Sequence, residues 1–322
     1  MRHFLILLGA AWGCWAQQTA AEKLIEAGHW KRARTIVEAR IAEAPNDPLA
    51  NFLLSQVRNA FGDRSSPLSL AEKAVALDPR TAKYHRQVAE CLGVMAQHSG
   101  AFQQLLLARR FRKETDTALT LDPRDTQAMR DVMEFYLLAP GLLGGDARKA
   151  MEISDRIATL DGAEGFLAKA RIAESRKQIS ETEAWLRQAA EAQPPKYRAR
   201  VALAEFYSAP GHSKPRAAET QAREALKLDP GRSAAYGVLA QLYADQDDWS
   251  ALEAVLTTAA HEVPDDLAPY YRAAERLAAS GRDAARAERY VQLYLSQEPE
   301  GNQPSAADAR GLVRRKTYAS GK

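Results

Sequence analysis

The chain has 322 residues, of which 46% are hydrophobic and 26% charged, with a formal net charge of +3. That balance suits a folded chain with a buried core, and so small and dispersed a charge gives no basis for a nucleic-acid partner. Alanine is abundant and alternating Val/Ile/Thr runs are lacking, which argues for closely packed helices and against strands.

The first residues form a separate element. Arg2 and His3 precede the apolar run Phe4-Leu5-Ile6-Leu7-Leu8, and Cys14-Trp15-Ala16 leads into Gln17-Gln18. A basic start, a short apolar stretch and a small residue before a polar one predict a secretory signal peptide over residues 1–16, cleaved after Ala16. The run falls far short of the ~20 residues needed to span a bilayer. In the alternative reading Cys14 is the lipidated cysteine of a lipoprotein, which would tether the protein to a membrane. Trp12 is bulky for that signal. Without the leader no transmembrane segment is expected. Cys91 is then the last cysteine of the two in the chain. It lies among Val88, Leu92, Val94 and Met95, the setting of a small buried hydrophobe.

From Gln17 onward the chain repeats. Proline ends a polar-capped apolar segment at Pro45, Pro79, Pro123, Pro230 and Pro264, and both 45 to 79 and 230 to 264 are intervals of 34 residues. Proline cannot continue a helix and drives its predecessor out of helical angles, so each marks a helix end. Between Gly231 and Pro264, Tyr236, Leu239, Ala240 and Tyr243 recur at three- and four-residue steps, the apolar stripe of a first helix. Asp245-Gln246-Asp247-Asp248 reads as a turn, and Trp249, Leu252, Leu256 and Ala259 as the matching stripe of a second. Ala240 lets the two approach closely. The next copy repeats the pattern with Tyr270, Ala273, Ala274, Leu277, a turn at Gly281, then Tyr290 and Leu293.

A 34-residue period in helix hairpins, with aromatic, Leu, small, Tyr, Ala and Pro residues in these places, resembles the tetratricopeptide repeat family. Leu24, Gly28, Trp30, Ala33 and Pro45 fit it with more slack, as do Leu54, Gly62, Ala71, Ala74 and Pro79, and Leu203, Ala204, Tyr207, Ala218, Ala222 and Ala225. Ala163–Pro195 lacks a clear turn glycine. The resemblance implies an all-α, right-handed α-solenoid of about eight antiparallel hairpins over residues 17–299.

Two units break the period. Pro79 to Pro123 spans 44 residues, and the surplus around Ala96–Phe102 would lengthen the hairpin or its second helix. The next unit carries Ala139-Pro140-Gly141-Leu142-Leu143-Gly144-Gly145-Asp146 between its helices. This run lacks the lysine and hydroxyl of a phosphate-binding loop and reads as a turn, with Leu142 and Leu143 capping the hydrophobic seam. Insertions in repeat arrays often fall on the binding face. Residues 300–322 are expected to form a capping helix over Ala306–Lys316 and a frayed tail from Tyr318, since a solenoid needs a polar cover on its last apolar face.

No residue set for catalysis stands out. The six histidines are scattered, no CxxC or HExxH occurs, and Asp247-Asp248 and Asp265-Asp266 sit where helices start, as caps. No cofactor or metal is expected. What the resemblance implies is a scaffold whose concave groove, lined by first helices, holds a protein or peptide. The lining would be Lys83, Arg86 and Glu90, then Gln127, Arg130 and Glu134, and further on Glu205, Gln241, Asp245, Tyr271 and Glu275. Lys83, Arg86 and Arg130 could clamp a carboxylate. The basic cluster Arg109-Arg110-Phe111-Arg112-Lys113 reads as a solvated helix face. The alternatives from other classes are an enzyme or accessory subunit acting on an envelope substrate, and a lipidated assembly factor.

Overall fold

The computed structural model describes residues 20–141 and 144–317, with side chains as far as Val313. The leader with Cys14, the pair Leu142 and Leu143, the side chains of Arg314, Arg315 and Lys316, and the tail from Tyr318 lie outside the description. Among the described residues there are seventeen α-helices and no strand. In chain order they are α1 (20–27), α2 (Trp30–Glu43), α3 (Pro48–Ala60), α4 (Pro67–Leu77), α5 (Ala82–Gln97), α6 (Ala101–Leu121), α7 (Thr126–Leu138) and α8 (Ala147–Leu160). There follow α9 (Gly162–Ser175), α10 (Ile179–Glu191), α11 (Tyr197–Ser208), α12 (Pro215–Leu228), α13 (Ser233–Asp245), α14 (Trp249–Glu262), α15 (Ala268–Ser280), α16 (Ala284–Tyr294) and α17 (Ala306–Thr317).

The helices are where local chemistry puts them. Pro48, Pro67, Pro215 and Pro269 open α3, α4, α12 and α15, where the first turn has no need of their N–H. Asp47, Asp125, Asp146, Asp248 and Asp283 each accept backbone N–H groups of the first turn, satisfying donors that the helix itself leaves unpaired. The stops are sharper than proline alone would make them. In Leu-Asp-Pro the helix ends on the leucine and the aspartate swings to extended angles at Asp78, Asp122 and Asp229. Its carboxylate then accepts the N–H two residues on, from Arg80, Arg124 and Gly231. Each stop is therefore an aspartate turn followed by a residue that cannot re-enter the helix.

The chain divides into two compact units at Asp161. The first holds the hairpins α1/α2, α3/α4, α5/α6 and α7/α8. The second holds α9/α10, α11/α12, α13/α14 and α15/α16, with α17 packed on α15 and α16. Alanine sets the helix spacing in both. Ala71, Ala74, Ala118 and Ala150 in the first unit, and Ala218, Ala222, Ala225, Ala240, Ala273 and Ala274 in the second, have no exposed surface. Larger groups fill between them: Phe52, Leu53 and Tyr84 in one cluster, and Leu239, Leu252, Leu256, Leu277 and Tyr290 in another. Leu312 and Val313 pack against that second cluster, so α17 covers the last apolar face as the sequence suggested. Cys91 is buried, 3.6 Å from the Ser55 hydroxyl, and burial pushes its thiol up.

Two local expectations need correcting. Leu293 of α16 is exposed, and Tyr290, Val291 and Tyr294 form the buried stripe instead. The helix is turned so that the Tyr294 ring lies 5.4 Å from that of Tyr271. The hairpin without a turn glycine closes on Lys177, which takes a positive φ of 57° so that the Gln178 N–H can reach the Ala173 carbonyl at 3.0 Å. A side chain at such an angle is held there by the packing of the two helices against its preference. Replacing Lys177 by glycine should raise stability by about 0.5–1 kcal/mol, read as an upward shift of the urea midpoint at unchanged slope; no shift would mean that the turn is unstrained.

Candidate binding face and the cleft beside the long hairpin

The first helices of successive hairpins carry polar side chains along one side, and most of the residues singled out from the sequence lie there. Their partners are largely one another's helices. Lys83 of α5 reaches Glu22 of α1 at 2.8 Å over the ring of Phe52, 5.3 Å from its centroid. Arg86 is buried, with its Nε 3.2 Å from Asp125, the cap of α7. Glu90 accepts from the amide of Asn59 on α3 at 3.1 Å. In the second unit Arg198 of α11 holds Glu164 of α9 at 2.7 Å, and Arg276 of α15 holds Asp245 of α13 at 2.9 Å. All but the Lys83–Glu22 bond, which joins the third hairpin to the first, run between neighbouring hairpins, and together they fix the register.

The predicted lining therefore separates into two classes. Gln127 and Glu205 are exposed, and Arg130, Glu134, Gln241 and Glu275 are partly so. Arg86 and Tyr271 are not part of an open face. Tyr271 is buried against Tyr294, because the start of α15 is covered by the segment leading to α17. Arg86 is engaged with Asp125, and Lys83 with Glu22.

The irregular third hairpin changes the geometry here. Its surplus residues are divided between both helices, giving an α5 of 16 residues and an α6 of 21, against 13 and 14 in the following α7 and α8. Seven more residues in α6 add about 10 Å of helix. The arm turns at His98–Gly100 and leaves Phe102 and Leu106 exposed at 78% and 50%. Behind it the Ala139–Asp146 loop folds back on the end of α7. The Asp146 N–H bonds to the Tyr136 carbonyl at 2.9 Å, and the Gly145 N–H to that of Pro140 at 3.2 Å. A Cβ on Gly145 would stand 1.8 Å from the Ala139 oxygen, so only glycine fits the fold-back.

Between arm, α7 and loop lies a cleft of about 380 Å3. Leu92, Leu107, Phe111, Phe135 and Leu138 give it apolar walls, with the rings of Phe111 and Phe135 stacked 5.4 Å apart. Three carboxylates face into it, from Glu90, Asp131 and Glu134, and among the described residues that line it there is no Lys, Arg or His. Asp131 is the member that sequence reading passed over, as the neighbour of Arg130. Its Oδ2 is buried without a hydrogen-bond partner. Burial first, and then the charge of Glu90, push its carboxyl up to about 7, with Arg86 and Arg130 opposing and Asp125 adding to the rise. Burial also raises Glu90, offset in part by Arg86 and the Asn59 amide. No cluster of three His, Cys, Asp or Glu side chains suited to a metal ion occurs among the described residues, and no described helix is long and apolar enough to cross a membrane.

No protein-family model matches the chain, and none of the curated proteins matches it. Solved structures do. A thermophilic TPR protein from Thermus thermophilus superposes with a TM-score of 0.52 at 21% identity, over 60% of this chain and 97% of that one. A tetratricopeptide repeat protein from Parabacteroides merdae covers 87% of this chain and 98% of its own at 13% identity, with a TM-score of 0.44. The pilF protein of Pseudomonas aeruginosa covers 68% and 93% at 13% identity and a TM-score of 0.41.

Two outcomes check the electrostatics. Arg86→Ala leaves Asp125 without its buried partner and should cost on the order of 3 kcal/mol, whereas Lys83→Ala, at a surface pair, should cost under about 1 kcal/mol; equal losses in chemical denaturation would contradict that division. Asp131 holds its proton in the fold at pH values where the unfolded chain, with its ordinary value near 3.8, has lost it. Stability should therefore fall as pH rises between those two values, up to about 7. Asp131→Asn should remove this slope and be the more stable form at pH 8, by about 4 kcal/mol at most. Parallel stability curves for the two proteins between pH 4 and pH 8 would refute the assignment.

Helix hairpins in tandem, alanine-spaced crossings, first helices bonded to first helices and the Thermus superposition agree: the chain has the fold of a tetratricopeptide-repeat α-solenoid.

Proposed function

We propose that this protein is a non-enzymatic interaction scaffold of the cell envelope, holding a protein or peptide on the exposed side of its first helices. The observation that carries the reading is the bonding of that side. Glu22–Lys83, Asn59–Glu90 and Arg86–Asp125 in one unit, and Glu164–Arg198 and Asp245–Arg276 in the other, tie the first helices of each unit into a surface formed before any partner arrives. A preformed surface leaves the ordering cost mainly to the partner. The tetratricopeptide fold supports a protein partner in general. Export rests on the leader at residues 1–16.

A photo-crosslinking residue placed at Gln127 or Gln241 should trap a partner in the native envelope fraction, and one at the exposed Thr258 of the second helix α14 should not. Equal labelling from all three sites, or none, would refute this face. Mass spectrometry of the mature chain should find Gln17 at its start; a lipid on Cys14 would favour the tethered assembly factor, and an intact Met1 would end the export reading.

A further inference from the structure

Both departures from the repeat period, 50 residues apart at their extremes, build one cavity. The lengthened α5/α6 arm forms one wall and the Ala139–Asp146 loop closes the end of α7 that forms the other. The residues that line this cavity include no Lys, Arg or His. Glu90 accepts from the Asn59 amide, Arg86 bonds to Asp125 through its Nε while its charge bears on both Glu90 and Asp131, and the Asp131 Oδ2 is buried with no partner. A carboxylate oxygen kept from water without a donor is costly, and the amides of Gln97 and Gln104 in the lining make no bond to it.

We propose that this cleft receives a lysine or arginine side chain of a partner segment, flanked by an apolar residue, with Asp131 and Glu90 meeting the cation and Leu107, Phe111, Phe135 and Leu138 the apolar stem and neighbour. This deepens the scaffold reading and rests on it. The volume of about 380 Å3 lies at the small end of the ligand-pocket range, roughly 300–1,000 Å3, enough for two or three side chains and too little for a helix. Long basic side chains suit such a place, because their aliphatic stems lie on apolar walls while the head reaches the charge. Phosphate-bearing ligands are disfavoured by the three carboxylates. A metal ion would need ligands that converge, and no such group of three exists among the described residues.

The cation also replaces a proton. The groups facing Asp131 are Glu90 and Arg86 from α5, Arg130 and Glu134 on its own helix and Asp125 at the start of that helix; α6 contributes Gln104, Leu107, Ala108 and Phe111, none of which titrates. Binding should accordingly tighten as pH rises from 5 to 8, since the carboxylate that receives the cation is increasingly ionised over that range.

The test uses the full mature protein and fluorescein-labelled peptides in a glycine–serine frame, with fluorescence anisotropy as the readout. One peptide carries a lysine between two leucines. In two others glutamine or glutamate replaces the lysine, and in a fourth serines replace the leucines. The lysine–leucine peptide should bind at least about tenfold more tightly than the other three, a difference of about 1.4 kcal/mol. Asp131→Asn should lower its affinity about tenfold without changing helicity, and Leu107→Ser should do the same through the wall. Equal binding of all four peptides, no binding of the lysine–leucine peptide, or full affinity in both variants would overturn the proposal. Failure here is separable from failure of the scaffold reading. A partner trapped from Gln127 in wild type and equally in Asp131→Asn would leave the scaffold standing and remove the cleft. Peptide binding that responds to Asp131→Asn, with nothing trapped from the envelope, would support the cleft and remove the wider reading.

Discussion

The spacing between helix axes is the constraint from which the other features follow. At the crossings the side chains are alanines with no exposed surface, such as Ala118 and Ala150 in one unit and Ala240 and Ala273 in the other. Helices that approach so closely bring polar side chains within bonding range of the next hairpin. Arg86 can then reach Asp125, and Arg276 can reach Asp245. A larger residue at such a crossing would open the gap and break those bonds, besides the strain of overpacking, typically about 1–3 kcal/mol. Packing and polar register are therefore one property of the array rather than two.

Against this regularity the α5/α6 hairpin stands out. Its additional turns cannot pack on the shorter neighbouring hairpin along their whole length, and the uncovered part of α6 leaves Phe102 and Leu106 in solvent. The inner side of the same extension shields Glu90 and Asp131 from water. A carboxyl that would ionise freely on an ordinary repeat is pushed up to about 7 here, by burial more than by any single neighbour. The array gains a local address in this way, from the length of one hairpin and the fold-back of one loop around Gly145.

The basic cluster beginning at Arg109 shows how far a charge run can mislead. Arg110 pairs with Glu72 on α4 at 2.5 Å, Arg112 lies over the rings of Phe135 and Tyr136, and Phe111 is in the cleft wall. A run that reads as one solvated face is divided among three surroundings, because consecutive residues on a helix point about 100° apart.

By itself the sequence determined the elements that depend on near neighbours. Proline and aspartate at Pro79, Pro123 and Pro230 end helices within a few residues, aspartate caps such as Asp125 and Asp248 start them, and apolar stripes at three- and four-residue steps choose the buried side. Hence the hairpins, the period, the capping helix and both irregularities were legible. The tertiary structure decided what those stripes and polar rows meet. Whether Arg86 is a clamp or a buried tie depends on Asp125, 39 residues away, and whether Tyr271 faces outward depends on Tyr294 and the segment beyond it. The Lys177 turn likewise depends on two helices pressing it into an angle that its own backbone resists. Asp131 is the clearest case: nothing adjacent to it in the chain predicts a desolvated carboxyl, because the groups that exclude water from it are brought by α5 and α6.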